Sequence, residues 1–456
     1  MKLDIVILAA GKGTRMYSTL PKVLHALAGR PLLAHVVDCA RALDPARIRV
    51  VYGFGGRSVP EALADAPVEW VLQAEQHGTG HALRLAMTGI ADDTLVLVLY
   101  GDVPLTRPAS LRPLIAAAAG GALALITVEL ADPGGYGRIV RDRDGGIVRI
   151  VEHKDATPAE RALTEINTGI LAAPAGRLKK YLAALTNANA QGEYYLTDAV
   201  ALAAADGVKI AGLPPADRWE IMGVNSKTQL AELERIHQRH QAQGLMDKGL
   251  TLLDPARFDL RGTLEFGVDV VIDVNVVIEG KVTLGDGVVI GPNNVLRDCE
   301  VGAGTQVQPN CVIEQAVIGR DCRIGPFARI RPEADIADGA HIGNFVEIKK
   351  SRIGAGSKVN HLAYVGDSVV GRDVNIGAGA ITANYDGADK HRTQIEDNAS
   401  IGSNCVLVAP VTIGAGATIG AGSVVSKDAP AGELTVARAR PVTVKGWKRP
   451  AKKSDK

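Results

Sequence analysis

Three places in this chain put charged or amide side chains where the local pattern calls for small or apolar ones. The first is Gly11-Lys12-Gly13-Thr14-Arg15-Met16, which follows the apolar run Ile5 to Ala10 and precedes Pro21-Lys22. Its small residues let backbone N–H groups approach a phosphate, with Arg15 and Lys22 as nearby cations. A Walker A loop needs an earlier Gly where Val6 stands, and a dinucleotide-binding turn needs one where Met16 stands. A tight turn with solvated Lys and Arg fits the same residues. The second place is Asp102, directly after the apolar run Leu95 to Tyr100, at the carboxyl end of a strand, where a lone Asp by itself reads as a turn residue. The third is a set of polar residues, Arg331, Lys349, His361, Tyr364, Asn375, Asn384 and Tyr385, in a stretch otherwise rich in Ile, Val and Gly. Arg331 and Lys349 are eighteen positions apart, and two stacked cations repel unless an anion lies between them.

The elements that must position these residues follow two different periods. Up to about residue 225, Ile5 to Ala10, Ile48 to Tyr52, Val68 to Leu72, Leu95 to Leu99 and Leu123 to Val128 read as buried strands. Val23 to Leu43 and Gly80 to Met87 carry apolar residues at helical spacing. That rhythm predicts an α/β, Rossmann-like domain with a mostly parallel sheet, its ligands at the carboxyl ends of the strands. Leu230, Leu233, Ile236 and His240 predict one amphipathic helix serving as a connector. From about residue 262, aliphatic residues recur every sixth position, as in Ile318, Ile324, Ile330, Ile336, Ile342 and Ile348. This period predicts a parallel β-helix of hexapeptides, about 18 residues per coil and nine or ten coils tall. The polar segment 383–394 is too long for one coil and predicts an excursion.

The chain has 456 residues, enough for at least two domains, and its 51 basic and 50 acidic residues leave a charge of +1. That balance offers no field for nucleic acid or a membrane surface. With 46% apolar but only 4% aromatic residues and 51 Gly, the cores must be aliphatic with tight turns. Five cysteines without a CxxC pair, no apolar run long enough for a membrane span and no cleavable leader predict a cytoplasmic protein.

LAAGKGTRM followed by PKVLH resembles the opening loop of the sugar-nucleotide pyrophosphorylases. LQAEQHGTGHA, LYGDVPL, GGYGRIV, IVEHKDAT, EINTGI, IGPFARIRP, GNFVEIKKS and NIGAGAITANYDG extend the likeness from end to end. Over that length the chain resembles the bifunctional N-acetylglucosamine-1-phosphate uridylyltransferase/glucosamine-1-phosphate N-acetyltransferases. The resemblance implies acetyl transfer from acetyl-CoA to glucosamine-1-phosphate, then uridylyl transfer from UTP to N-acetylglucosamine-1-phosphate. It also implies a left-handed β-helix, a homotrimer, and a product that feeds peptidoglycan and lipopolysaccharide synthesis.

Residue by residue, the resemblance implies nucleotide contacts at Leu8, Ala9, Ala10, Gly11, Arg15, Lys22, Gln73, Gly78, Thr79, Tyr100 and Gly101. Asp102 and Asn225 would hold Mg²⁺, and Gly137, Glu152, Asn167 and Asn225 the acetylated sugar. The Gln73 amide offers a uracil edge donor and acceptor together. In the second half, Arg331, Lys349, Tyr364 and Asn375 would bind the sugar phosphate, with His361 as general base. Ala378, Asn384, Tyr385, Ser403, Ala421 and Arg438 would contact acetyl-CoA. Ala363 stands where the family usually has Thr, and Met222 where an acidic residue is often seen. The expected organisation is a uridylyltransferase domain over 1–226, a linker helix over 227–249, the β-helix over 250–437 and a basic tail over 438–456. An alternative is a single-function nucleotidyltransferase whose β-helix serves only as a trimerisation scaffold.

Overall fold

The computed structural model describes residues 1–450. Two compact units divide inside the helix Lys227–Met246, one ending at His237 and the other beginning at Gln238. Residues 438–450 form no helix or strand, and the end of the expected tail, 451–456, lies outside the described residues.

The first unit is built on a sheet whose strand order is Ile210–Leu213, Leu123–Glu129, Glu165–Pro174, Leu95–Tyr100, Leu3–Leu8, Arg47–Tyr52, Glu69–Leu72. Its neighbours are parallel except Glu165–Pro174, which runs antiparallel to both strands beside it. Both faces are buried: Ile5 and Ile7 join one cluster, Val6 and Leu8 the other. That is why the central strands Leu3–Leu8 and Leu95–Tyr100 carry nearly continuous apolar runs rather than alternating ones. A hairpin, Arg138–Arg141 with Ile147–Val151, attaches where Arg138 pairs with Ile166.

One expectation fails. Val23 to Leu43 is a short 3₁₀ turn, a two-residue hairpin around Ala28 and Gly29, and a helix only from Leu32 to Arg41. Ala28 and Gly29 both have positive φ, and Pro31 disfavours helical backbone in the residue before it.

The second unit is a parallel β-helix. One face carries an 11-stranded ladder and the other strands form a 17-stranded sheet. Ile324, Ile342, Val359, Ile376, Ile401 and Ile419 stack in register along its interior. Most coils take seventeen or eighteen residues, as in Arg323 to His341 and His341 to Lys358. The longest step, twenty-five residues, runs from Asn375 to Ser400, where 384–392 leave the stack. Tight stacking fixes some corner residues: a Cβ at Gly343 would lie 2.0 Å from the carbonyl oxygen of Asn360. Cys299, Cys311, Cys322 and Cys405 are buried free thiols here, and burial pushes that of Cys299 up to about 12.

Candidate functional sites

In the first unit the strand Leu3–Leu8 delivers Leu8, Ala9, Ala10 and Gly11 to the rim of a cavity of about 350 Å³. Lys22, Gln73, Gly78, Thr79, Tyr100 and Asp102 line it too, with Lys12, Gln76 and Glu193, which the sequence did not single out. Gly101 is buried beneath the rim, where a Cβ would come within 3.0 Å of that of Ala9. Arg15 is exposed on the turn Thr14–Met16, near enough for its charge to act on the Tyr136 phenol together with Asp102.

Lys22 is the hub. Its ammonium is bound by the Asp102 carboxylate and donates to Oδ1 of Asn225 at 3.1 Å. Two oxygen donors from distant parts of the chain therefore already converge on one cation. A hard divalent ion with few protein ligands suits that donor set.

Glu152, Gly137 and Asn167 form a second group. Asn167 N–H donates to the Gly137 carbonyl at 2.9 Å, and a Cβ on Gly137 would sit 3.5 Å from Glu152 Oε2. The Asn167 Oδ1 is buried without a hydrogen-bond partner among the described residues. Burial raises the Glu152 carboxyl above its usual range, while the Thr197 hydroxyl donating to it at 2.9 Å opposes that shift. Tyr100 links the two groups: its phenol is raised by burial, then by the charges of Glu152 and Asp102. Gly169 makes room for that ring, since a Cβ there would lie 2.5 Å from Tyr100 Cε2. Gly169, although inside EINTGI, and Thr197 were not singled out, because each acts only through a contact with a distant residue, Tyr100 and Glu152.

In the second unit a ladder of alternating charge runs up one face. Arg261, Glu279, Arg297 and Glu314 are in register, and Arg297 holds Glu314 at 2.7 Å. The alternation continues to Arg331 and then breaks, because Lys349 stands where the next carboxylate would be. The expected repulsion is relieved partly from within: Arg331 is paired with Glu347 at 2.7 Å. Lys390, from the excursion loop, adds a further cation, its ammonium pushed down by Lys349 beside it. The buried Asn384 donates to Asp367 and, at 3.4 Å, to the Tyr364 hydroxyl, so it belongs with this group. The Tyr385 hydroxyl donates at 2.6 Å to Gly387 within its own loop.

A different corner gathers the remaining candidates. Register places Asn344 beneath His361, and continuing it places Ala378, Ser403 and Ala421 on successive coils above. Arg438 ends the column, its guanidinium donating to the Ala421 carbonyl at 2.7 Å. Asn375 lies on the face leading into this corner. His361 is exposed and its Nδ1 is 2.7 Å from the Asn344 Oδ1. An Nδ1–H donating to that carbonyl leaves the Nε2 lone pair facing outward. Asn344 was missed because its role exists only across coils.

The next corner position holds residues of positive φ: Asn275, Asn293 and Asn310, then Phe327, Phe345 and Leu362, then Gly379 and Asn404. Asn tolerates this backbone, whereas bulky apolar residues rarely adopt it. Phe327 and Phe345 nevertheless stack with ring centroids 5.2 Å apart, and these three residues are 48%, 55% and 64% exposed.

Among the described residues no group of three His, Cys, Asp or Glu side chains could hold a metal, and no helix is long and apolar enough to cross a membrane. Residues 5–248 match the MobA-like NTP transferase domain, 392–427 the six-repeat bacterial transferase hexapeptide, and 262–334 the GMPPB C-terminal domain. A protein of Thiobacillus denitrificans named bifunctional protein GlmU is 62% identical over 99% of this chain and 98% of its own length. Proteins of the same name from Alkalilimnicola ehrlichii and Chromobacterium violaceum are each 58% identical, over 100% and 99% of this chain and 98% and 99% of their own. An aliphatic nucleotidyltransferase sheet, a hexapeptide β-helix and full-length identity at this level agree, and the chain belongs to the bifunctional GlmU family.

Proposed function

We infer that this chain makes UDP-N-acetylglucosamine in two steps, acetylating glucosamine-1-phosphate in the β-helix and uridylylating the product in the first unit. The observation that carries the bifunctional reading is the corner column, an imidazole with an outward lone pair followed by small residues and an arginine. A β-helix serving only as scaffold has no need of it.

For acetyl transfer, Arg331, Lys349 and Lys390 hold the sugar phosphate, filling the place where the charge ladder lacks a carboxylate. The sugar amine attacks the thioester carbonyl of acetyl-CoA; Nε2 of His361 takes the amine proton as the C–N bond forms, and the C–S bond then breaks to release coenzyme A as its thiol. The Ala378, Ser403 and Ala421 edge accommodates the thin pantetheine arm, with Arg438 toward its phosphates. For uridylyl transfer, a phosphate oxygen of N-acetylglucosamine-1-phosphate attacks the α-phosphorus of UTP and pyrophosphate leaves. The barrier is alignment and anionic repulsion, so backbone N–H groups at Gly11 with Arg15 and Lys22 act by positioning and neutralisation. Gln73, Gly78 and Thr79 take the base, and Glu152, Asn167 and Gly137 the acetylated sugar. Asp102 and Asn225 would hold Mg²⁺ in place of the Lys22 ammonium; that ion supplies further charge neutralisation on the phosphates.

Incubation with acetyl-CoA, glucosamine-1-phosphate and UTP tests the reading. Free thiol should appear first and pyrophosphate should depend on it. Pyrophosphate from N-acetylglucosamine-1-phosphate without any thiol release from glucosamine-1-phosphate would leave only the single-function reading.

We further propose that the chain is a homotrimer in the cytoplasm. Its buried free thiols suit a reducing compartment. The exposed Phe327, Phe345 and Leu362 column, held in a backbone that costs such residues, is the surface a neighbouring copy would cover. Phe345→Asp should reduce the mass seen by light scattering to that of a single chain and lower acetyl transfer at least tenfold (~1.4 kcal/mol), leaving uridylyl transfer intact. An unchanged mass would remove this column from the interface.

A further inference from the structure

Gln73 follows the strand Glu69–Leu72 and is 2% exposed, yet it lines the nucleotide cavity. Its amide nitrogen lies 3.1 Å from the carbonyl oxygen of Gly78 and 3.1 Å from Nδ1 of His81. A carbonyl oxygen can only accept, so the end of the amide facing Gly78 must be its NH₂ group. The second N–H then points at His81, whose Nδ1 must carry a lone pair and whose proton must sit on Nε2. Both donors of Gln73 are consumed inside the protein. The expectation that this amide offers a base donor and acceptor together is therefore corrected: Oε1 alone remains, and it only accepts.

Neither partner is free to drift. Gly78 has φ 103, and a Cβ there would lie 2.7 Å from the Tyr194 carbonyl oxygen. Gly80 N–H donates to that same oxygen at 2.8 Å. His81 sits in the first turn of the helix Thr79–Ala86, beside the buried Ala82 and Leu83. Burial, then Arg84 and His77, hold the imidazole below the usual histidine range, with Glu75 acting the other way. The neutral ring that can accept is thus the favoured form.

We propose that His81 is a positioning residue for base specificity: with the Gly78 carbonyl it locks the Gln73 amide oxygen-outward, so the site takes a pyrimidine with an N3–H donor and rejects cytosine. This rests on the reading of Gln73 as the base contact. Uracil carries a proton at N3, whereas cytosine carries a lone pair that would face the lone pairs of Oε1. An unanchored glutamine would turn its amide over and serve either base. Here the turn would set Oε1 against the Gly78 oxygen and the His81 lone pair together, leaving buried polar groups unpaired.

The test compares kcat/KM for UTP and CTP, with N-acetylglucosamine-1-phosphate, in the parent, His81→Leu, His81→Asn and Gln73→Leu. His81→Leu should lower the UTP-to-CTP ratio about tenfold or more, mostly through the KM for UTP. His81→Asn keeps an acceptor near the Nδ1 position and should restore most of the ratio. Independently, ¹⁵N NMR of the parent should show His81 as the Nε2–H tautomer. An Nδ1–H tautomer overturns the lock. So does an unchanged ratio in His81→Leu when Gln73→Leu collapses it. A ratio unchanged in Gln73→Leu as well overturns the reading of Gln73 as base contact, and the lock with it.

Discussion

Replacing Asp102 with Ala is expected to cut uridylyl transfer by at least ~1000-fold while acetyl transfer stays within about twofold of the parent. The carboxylate has two duties at one point. It supplies one of the two oxygens that converge on a cation, and it holds the Lys22 ammonium that also reaches Asn225. Its removal takes away the only charged member of that donor pair and lets Lys22 swing toward whatever anion is nearest. Asp102 is part-exposed at the end of a strand whose residues Leu95 to Leu99 are buried, so the sheet should survive the change. The measurement is pyrophosphate release alongside thiol release from the same preparation, with circular dichroism to confirm folding. Joint loss of both activities in a folded protein would show that the two sites are coupled.

His361→Ala should have the reciprocal effect, lowering acetyl transfer by ~10²- to 10⁴-fold with uridylyl transfer unaffected. The ring is exposed and, among the described residues, its one polar contact is to Asn344, so little stability depends on it. What is lost is the acceptor for the amine proton. Asn344→Ala should cost less, about tenfold, because the base remains but loses the partner that sets its tautomer and direction. Thiol release measured against pH separates the two: the His361 variant should need hydroxide to proceed, while the Asn344 variant should keep the parent's profile at reduced height. Retention of half the parental rate in His361→Ala would remove the imidazole from the reaction.

How much of this the sequence revealed depends on whether a role is local. The strands at Ile5, Leu95 and Leu123 are legible because burial on both faces demands nearly unbroken apolar runs, and the one at Ile48 is legible although Arg49 interrupts it. The β-helix is legible because one aliphatic residue per hexapeptide has nowhere to go but inward. Val23 to Leu43 misled, since apolar spacing over Val23 to Leu27 mimics a helix that Ala28, Gly29 and Pro31 forbid. Glu165–Pro174 went unread because Asn167, Thr168 and Gly169 interrupt it, where the register with Leu123–Glu129 shifts. Asn344, Lys390 and His81 act only through contacts with coils or turns their own neighbourhood does not specify. His361 and the small residues above it were expected to act together, but only stacking shows that they form one column.

The excursion at 384–392 shows what this architecture permits. Between Asn375 and Ser400 the chain spends eight residues more than the seventeen it uses from Lys358 to Asn375, yet Ile376 still sits under Ile401. Each rung answers only to the rungs directly above and below. Extra chain can therefore be spliced into a single turn of the spiral without retuning the remainder. Such a fold can gain or lose a reactive side chain by editing one storey of the tower, a freedom denied to the interlocked sheet that precedes it.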